Sequence, residues 1–340
     1  MFAMDLSAGL DRLGCHNEVV ALAPGQHGDL LPVEVLGPSR RSPSTLLALR
    51  RSAKAADIVV AHGSATLLAC AIALVGCRSP FVYRQISDPL HWAGTWPRRL
   101  RTGAFLRRAT AIVALASTSA DVLCRHYRLR PSRITVLPNA VPGGRFATAS
   151  AEDRARSRSE LGLPENAVVV LYIGALAAEK GVDMLVRVVA ASPALHLLIV
   201  GDGPERDRLR QLAQRAMPGR AYFTGPTRDP ASAFHAADVV ALPSRAGDSM
   251  PAVLIEAGLC GLPTIATPVG AITDVVLDGR TGSVVPVEDE GALAHALGHI
   301  VSHPAVRASM GAAARAHCVE RFTIEATAPR WLELLLAHRR

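Results

Sequence analysis

Short apolar runs alternate with amphipathic stretches along the whole 340-residue chain. In the second half the runs are 167–173 (AVVVLYI), 196–200 (HLLIV), 221–224 (AYFT), 238–242 (DVVAL), 264–267 (TIAT) and 282–285 (GSVV). Between them, stretches such as 205–216 (ERDRLRQLAQRA) and 290–302 (EGALAHALGHIVS) place apolar residues at helical spacing. An apolar run without polar alternation suits a strand covered on both faces. Strand–helix alternation with short Gly/Pro loops therefore predicts an α/β fold around a parallel sheet. The first half alternates in the same way, with strands expected at 18–23, 57–61, 80–83, 110–115 and 134–137. The polar segment 142–160 (PGGRFATASAEDRARSRSE) breaks the pattern and is expected to link two α/β domains. Residues 2–14 look like the first helix of a doubly wound domain, with no strand or glycine-rich turn before it.

Composition narrows the class. Apolar residues make up 49% and charged residues 19%, which describes a globular chain. The longest uncharged apolar stretch, 63–77, is shorter than the roughly 20 residues of a membrane span and is expected to be a buried helix with a loop. The N-terminus lacks the basic start, apolar centre and small-residue cleavage site of a signal peptide. Cysteines 15, 70, 77, 124, 260 and 318 form no C-x-x-C pair, no disulfide framework and no zinc pattern, so a reducing cytoplasm is expected. The net charge of +8 is uneven: residues 1–150 carry +10 and residues 151–340 carry −2. Only the first half is thus expected to meet an anionic partner.

The candidate chemistry gathers at 248–267, DSMPAVLIEAGLCGLPTIAT. Pro251 suits a first helical position, Gly261 suits the left-handed residue that ends a helix, and Pro263 prevents continuation. A helix N-terminus below a strand end is a ready anion site. Backbone N–H groups there can hold a diphosphate while Asp248 and Glu256 grip hydroxyls, as a sugar nucleotide requires. The alternative is an Asp N-cap and a partly buried Glu with a local partner. Other segments favour the first reading. Lys180, in GALAAEKG (174–181), is one of the chain's two lysines and is expected to open a helix after a strand and loop, where it can meet a phosphate; otherwise it is a surface lysine. GDGP (201–204) makes a tight turn after a second strand, and 225–229 (GPTRD) follows a third and is expected to line the base pocket.

The order Y-x-G…E-K-G, V-G-D-G-P-E, F-T-G, A-D-V-V-A-L-P-S, then D-x7-E with A-G-L-C-G-L-P-T-I-A-T, resembles the retaining glycosyltransferases of family 4. The match covers nearly all of 165–322 and is looser in the first half, at EVVALA, DIVVAHG and ITVLPNAVPGGRF. The resemblance implies two facing Rossmann-like domains, the GT-B architecture, the first apparently without its first strand. The expected bounds are 1–145 for an acceptor-side domain, rejoined by a C-terminal helix over 322–340, and 146–321 for a nucleotide-sugar domain. It implies that the donor sugar lies between the domains, that anomeric configuration is retained, and that neither metal nor cofactor is needed. By position, Glu256 would hold the ribose and Asp248 would lie near the donor sugar. Lys180 would meet phosphate, and Ser249, Met250, Pro251 and Ala252 would present the phosphate-facing backbone. Gly174, Gly203 and Thr227 would complete the donor site. His62 would approach the sugar's far hydroxyl, and Asp248 and His62 are the expected catalytic pair; a histidine at a strand end is otherwise a satisfied loop residue. Three departures stand out: Asp248 where the family has Glu, Ala175 where it often has a phosphate-side Arg that Arg245 could replace, and the missing first strand with its Gly-Gly loop.

On the acceptor side, 92–108 (WAGTWPRRLRTGAFLRR) joins Trp92, Trp96 and Phe105 to arginines 98, 99, 101, 107 and 108. Such a segment suits an anionic membrane surface or lipid phosphate; the alternative is a solvated arginine face. The expected partners are a nucleotide sugar, a glycan or lipid-linked acceptor, and an anionic membrane surface. Nucleic acid is not expected, with 4% aromatic residues and no recognisable module. The expected location is cytoplasmic, with peripheral attachment at the inner face of the membrane. The leading reading is transfer of a hexose from a nucleotide-diphosphate sugar in cell-envelope or polysaccharide biosynthesis. The alternatives are an epimerase or glycosyl phosphorylase of the same fold, or a degenerate sugar-nucleotide-binding protein.

Overall fold

The computed structural model describes residues 1–25, 32–86, 95–227 and 229–340. Trp92 of the 92–108 segment and Arg228 of the 225–229 segment lie outside the described residues. The chain forms two compact units, Met1–Asn139 with Ile324–Arg340, and Ala140–Thr323.

The first unit contains α1 (Phe2–Arg12), β1 (Val20–Ala21), β2 (Glu34–Val35), α2 (Pro43–Ala55), β3 (Val59–His62), α3 (Ser64–Ala73), β4 (Phe81–Arg84), α4 (Trp96–Leu106), β5 (Ala111–Ala114), α5 (Ser117–Tyr127) and β6 (Ile134–Val136). Strands β3 to β6 pair in parallel in sequence order. The central β4 and β5 are buried at every residue, which explains their unbroken apolar run. The strand expected at 18–23 is only two residues long and pairs with β2, apart from the four-stranded sheet. Strand β2 is exposed at both residues and left no apolar signal in the sequence.

The second unit contains α6 (Ala151–Glu160), β7 (Val168–Ile173), α7 (Val182–Ala190), β8 (Leu195–Val200), α8 (Arg206–Ala216), β9 (Ala221–Gly225), α9 (Ala231–Ala236), β10 (Val239–Leu242), α10 (Ala252–Leu259), β11 (Thr264–Ala266), α11 (Ile272–Val275), β12 (Gly282–Val284), α12 (Glu290–Ser302) and α13 (Pro304–Arg321). Its parallel sheet runs β12-β11-β10-β7-β8-β9. The strand order reverses direction between β7 and β10, the doubly wound arrangement in which ligands bind beyond the carboxyl ends of the strands. The last helix, α14 (Ile324–His338), returns to the first unit. There Gly9 of α1 lies so close that a Cβ would stand 2.5 Å from Cγ2 of Ile324.

Two local expectations are corrected. The stretch expected to be linker contains α6, whose start is a capping box: the Ser150 hydroxyl accepts from the Asp153 N–H while the Asp153 carboxylate accepts from the Ser150 N–H. Helix α6 buries little apolar surface and is held by charge instead. Arg154 and Arg158 reach Asp238 at 2.7 and 2.9 Å, and Asp238 also accepts from the Val169 N–H. The second correction concerns Pro251, which is the N-cap of α10, with extended ψ of 125°, and not its first helical residue. The turn before it is pinned by the Ala271 N–H, which donates to the Ser249 carbonyl at 2.6 Å.

Candidate active site

The donor-side residues named from sequence follow the carboxyl ends of the second unit's strands. Gly174 and Lys180 follow β7, Gly203 follows β8 and Thr227 follows β9. Asp248, Ser249, Met250, Pro251 and Ala252 follow β10, and Glu256 stands on α10, where it is the only charged residue. Lys180 does not open a helix. It closes a short 3-10 turn, Ala178–Lys180, and the left-handed Gly181 then starts α7.

Across the switch point the two central strands bring Lys180 and Asp248 together: Lys180 Nζ lies 2.5 Å from Oδ1 of Asp248, and both side chains are largely buried. Among the described residues, neither the other carboxylate oxygen, the buried Oδ2 of Asp248, nor the buried hydroxyl of Ser244 in the same loop has a hydrogen-bond partner. An acceptor oxygen left bare in a low-dielectric place is costly unless a donor reaches it. Nearby, the Tyr172 hydroxyl donates to the Ala175 carbonyl at 2.8 Å; burial, followed by the Asp248 charge, raises this phenol and keeps it protonated. Helix α10 has no side-chain cap and no acid in its first turn, so its N-terminal dipole has no anion of its own.

Two glycines shape this edge. A Cβ on Gly203 would stand 2.4 Å from the Leu176 carbonyl oxygen. That close approach lets the loops after β7 and β8 interlock through Leu176 N–H to Asp202 and Glu205 N–H to Leu176. At Gly270 (φ 63°) a Cβ would stand 2.2 Å from the Asp248 carbonyl oxygen, so only glycine lets the 248–250 turn settle where it does.

Two side chains are otherwise engaged. The guanidinium of Arg245 is held by Asp183 at 2.8 Å, Glu288 at 3.0 Å and the Ala178 carbonyl at 2.7 Å. Thr227 is exposed and spends its hydroxyl in a local turn, donating to the Asp229 carbonyl and accepting from the Asp229 N–H. Among the described residues, no group of three or more His, Cys, Asp or Glu is placed to hold a metal ion, and no helix is long and apolar enough to cross a membrane.

In the first unit, His62 ends β3 beside Arg84, its register partner at the end of β4. Its ring lies 6.0 Å from that of Phe2 and 6.4 Å from that of Trp331. The residue is partly exposed, yet its Nδ1 is buried and has no partner among the described residues. Burial, then the Arg84 charge, pushes its pKa down to about 3, so the imidazole is neutral near neutral pH. Sequence reasoning passed over Arg84 and Ser244; the signal available for Arg84 was a charge ending the otherwise apolar run FVYR.

Comparison with known proteins agrees with this arrangement. Residues 153–317 match the family model "Glycosyl transferases group 1", and residues 1–143 match "Glycosyltransferase Family 4". A D-inositol 3-phosphate glycosyltransferase of Stackebrandtia nassauensis is 34% identical over 64% of this chain and 52% of its own length. A GDP-mannose-dependent alpha-(1-6)-phosphatidylinositol monomannoside mannosyltransferase of Mycolicibacterium smegmatis is 35% identical over 60% of this chain and 56% of its own. The chain thus spans about half the length of these relatives. In fold it is similar to Anabaena Alr3699/HepE, crystallised with UDP and glucose: TM-score 0.86, 23% identity, 98% of this chain and 95% of the other. With two parallel-sheet units of GT-B type and a family match on each, the chain belongs to glycosyltransferase family 4.

Proposed function

We propose that the chain is a retaining glycosyltransferase that moves a hexose from a nucleotide-diphosphate sugar to a glycan or glycolipid acceptor in cell-envelope or polysaccharide biosynthesis. The observation that carries this reading is the meeting of Lys180 with Asp248 at the switch point, with one Asp248 oxygen unclaimed. A lysine ammonium has three donors, so Lys180 can hold Asp248 and a donor phosphate oxygen together. The N-terminus of α10 takes the rest of the diphosphate, Glu256 the ribose diol, and Oδ2 of Asp248 a hydroxyl of the sugar. Positive charge and oriented N–H groups stabilise the leaving diphosphate, so no metal is required. His62, neutral and with an unclaimed ring nitrogen, keeps the hydroxyl-facing role that the resemblance gives it.

The relative from Mycolicibacterium is named for GDP-mannose and the Anabaena protein was crystallised with UDP and glucose. Both bases therefore belong in the test. The experiment is a thermal-shift screen of UDP, GDP and their sugars on wild type and Glu256→Ala. One nucleotide family should raise the melting temperature of wild type and fail to raise that of the variant. No shift with any nucleotide overturns the reading. For the ligand found, release of the nucleoside diphosphate should require an acceptor and persist in EDTA. The anomeric configuration of the product, read by NMR, should match that of the donor.

A further inference from the structure

Arg84 is 4% exposed, yet among the described residues no carboxylate pairs with it. Its guanidinium lies 3.5 Å over the Phe2 ring, and Nη2 donates to Oδ1 of Asn139 at 3.0 Å. Nε is buried and, among the described residues, donates to nothing. Burial has drawn its pKa down to about 9, which marks how poorly the charge is compensated. Elsewhere in the protein a buried arginine is served in full: Arg158 reaches Asp238 and the carbonyls of Ala236, Pro164 and Glu165. A buried cation without an anion is retained against its desolvation only when something else supplies the anion.

The location is informative. Arg84 and His62 end adjacent parallel strands, and Asn139 follows β6, so all three stand at the carboxyl edge of the first unit's sheet. A guanidinium binds oxyanions in its plane, through parallel N–H groups, whereas Phe2 covers its face. The ring occupies the face and not the donor edge, where Nε has no partner among the described residues. His62 adds an unclaimed ring nitrogen beside it.

We propose that Arg84, flanked by His62 and Asn139, is an oxyanion site of the first unit that takes a phosphate ester of the acceptor. This rests on the transferase reading above for the word acceptor, but not for the binding itself. It also differs from the donor phosphate site, which lies in the second unit.

The experiment uses the full chain and inorganic phosphate as probe, in a buffer free of other oxyanions. Melting temperature is followed against phosphate for wild type, Arg84→Met, Arg84→Lys and Lys180→Met. Wild type should rise with phosphate; Lys180→Met should keep the Arg84-dependent part of that rise; Arg84→Met should lose it. Arg84→Lys, which keeps the charge without the planar fork, should need several-fold more phosphate, and it serves if Arg84→Met does not fold. A phosphate-induced rise of equal size in wild type and in both Arg84 variants overturns the proposal, as does no rise in wild type. UDP and GDP are run on the same samples: nucleotide shifts with no Arg84-dependent phosphate shift leave the transferase reading standing and remove this site, while the reverse result does the opposite. Soluble inositol phosphate and phosphatidylinositol in phosphatidylcholine vesicles then compete against phosphate, which separates a free ester from a lipid headgroup as its source.

Discussion

Lys180 and Asp248 are 68 residues apart in sequence and 2.5 Å apart in space. Each stands on a loop that leaves a different central strand, so the pair spans the crevice at the sheet's switch point. With both side chains mostly buried, the pair is worth more than an exposed one, and either partner alone is left with an uncompensated charge. A double-mutant cycle with Lys180→Ala and Asp248→Ala in chemical denaturation should give a coupling of about 1–3 kcal/mol. A coupling near zero would mean that the contact contributes nothing to holding the two loops together.

Glu256 should matter for the nucleotide. Losing a charged hydrogen bond to the ribose diol removes roughly 1.5–3 kcal/mol, or about ten- to a hundredfold in affinity. Calorimetric titration of the nucleotide identified by the thermal screen should show that loss in Glu256→Ala. Unchanged affinity would take Glu256 out of the donor site.

Gly270→Ala should injure the site from outside it. The new Cβ would press on the carbonyls of Asp248 and Ser249, and the left-handed φ adds strain. The expected destabilisation is about 1–3 kcal/mol together with weaker nucleotide binding. Gly279, also at positive φ but with open space around it, is the control: its alanine variant should lose stability through strain alone and bind nucleotide normally.

The buried imidazole of His62 gives stability a pH dependence. Its folded pKa, about 3, lies below the unfolded 6.5, so the unfolded chain binds the extra proton first. The contribution is complete above pH 6.5 and is lost as pH falls toward 3, with a slope of ~1.4 kcal/mol per pH unit in between. His62→Phe should flatten the melting-temperature profile over that window. A parallel profile would show that His62 is solvated.

Helix α4 shows Trp96 at 72% and Leu100 at 55% exposure, one turn apart, among exposed arginines. Flotation with anionic vesicles should therefore exceed that with neutral ones, fall with salt, and fall again in Trp96→Ser/Leu100→Ser. Equal binding to both vesicle types would leave α4 as a solvated face.

The fold was legible wherever burial was complete. Strand β7 reads as AVVVLYI because both of its faces are covered, and Gly261 ends α10 with the left-handed φ (73°) that its neighbours suggested. Helix α6 was invisible because it is held by Asp238 and a capping box, and apolar periodicity carries no trace of either. The site was legible as positions after strands, but not as contacts. Which loops meet depends on strand order, and a motif spaced along the chain does not state it. Arg245 shows the same limit: its acid partners, Asp183 and Glu288, come from other segments. The lack of a carboxylate beside Arg84 among the described residues is likewise set by neighbours distant in sequence, such as Phe2 and Asn139.

Helix α14 belongs to the first unit although it follows the whole second unit in sequence; Arg330 within it donates to the carbonyl of Val136, and Arg340 just past it donates to those of Lys54 and Ala56. Trp331, fully buried, comes with it. During synthesis the second unit is therefore complete while the first still waits for a wall. The first unit is thus built from two separated segments of the chain, and its fold cannot close until residues translated after the whole second unit have joined it.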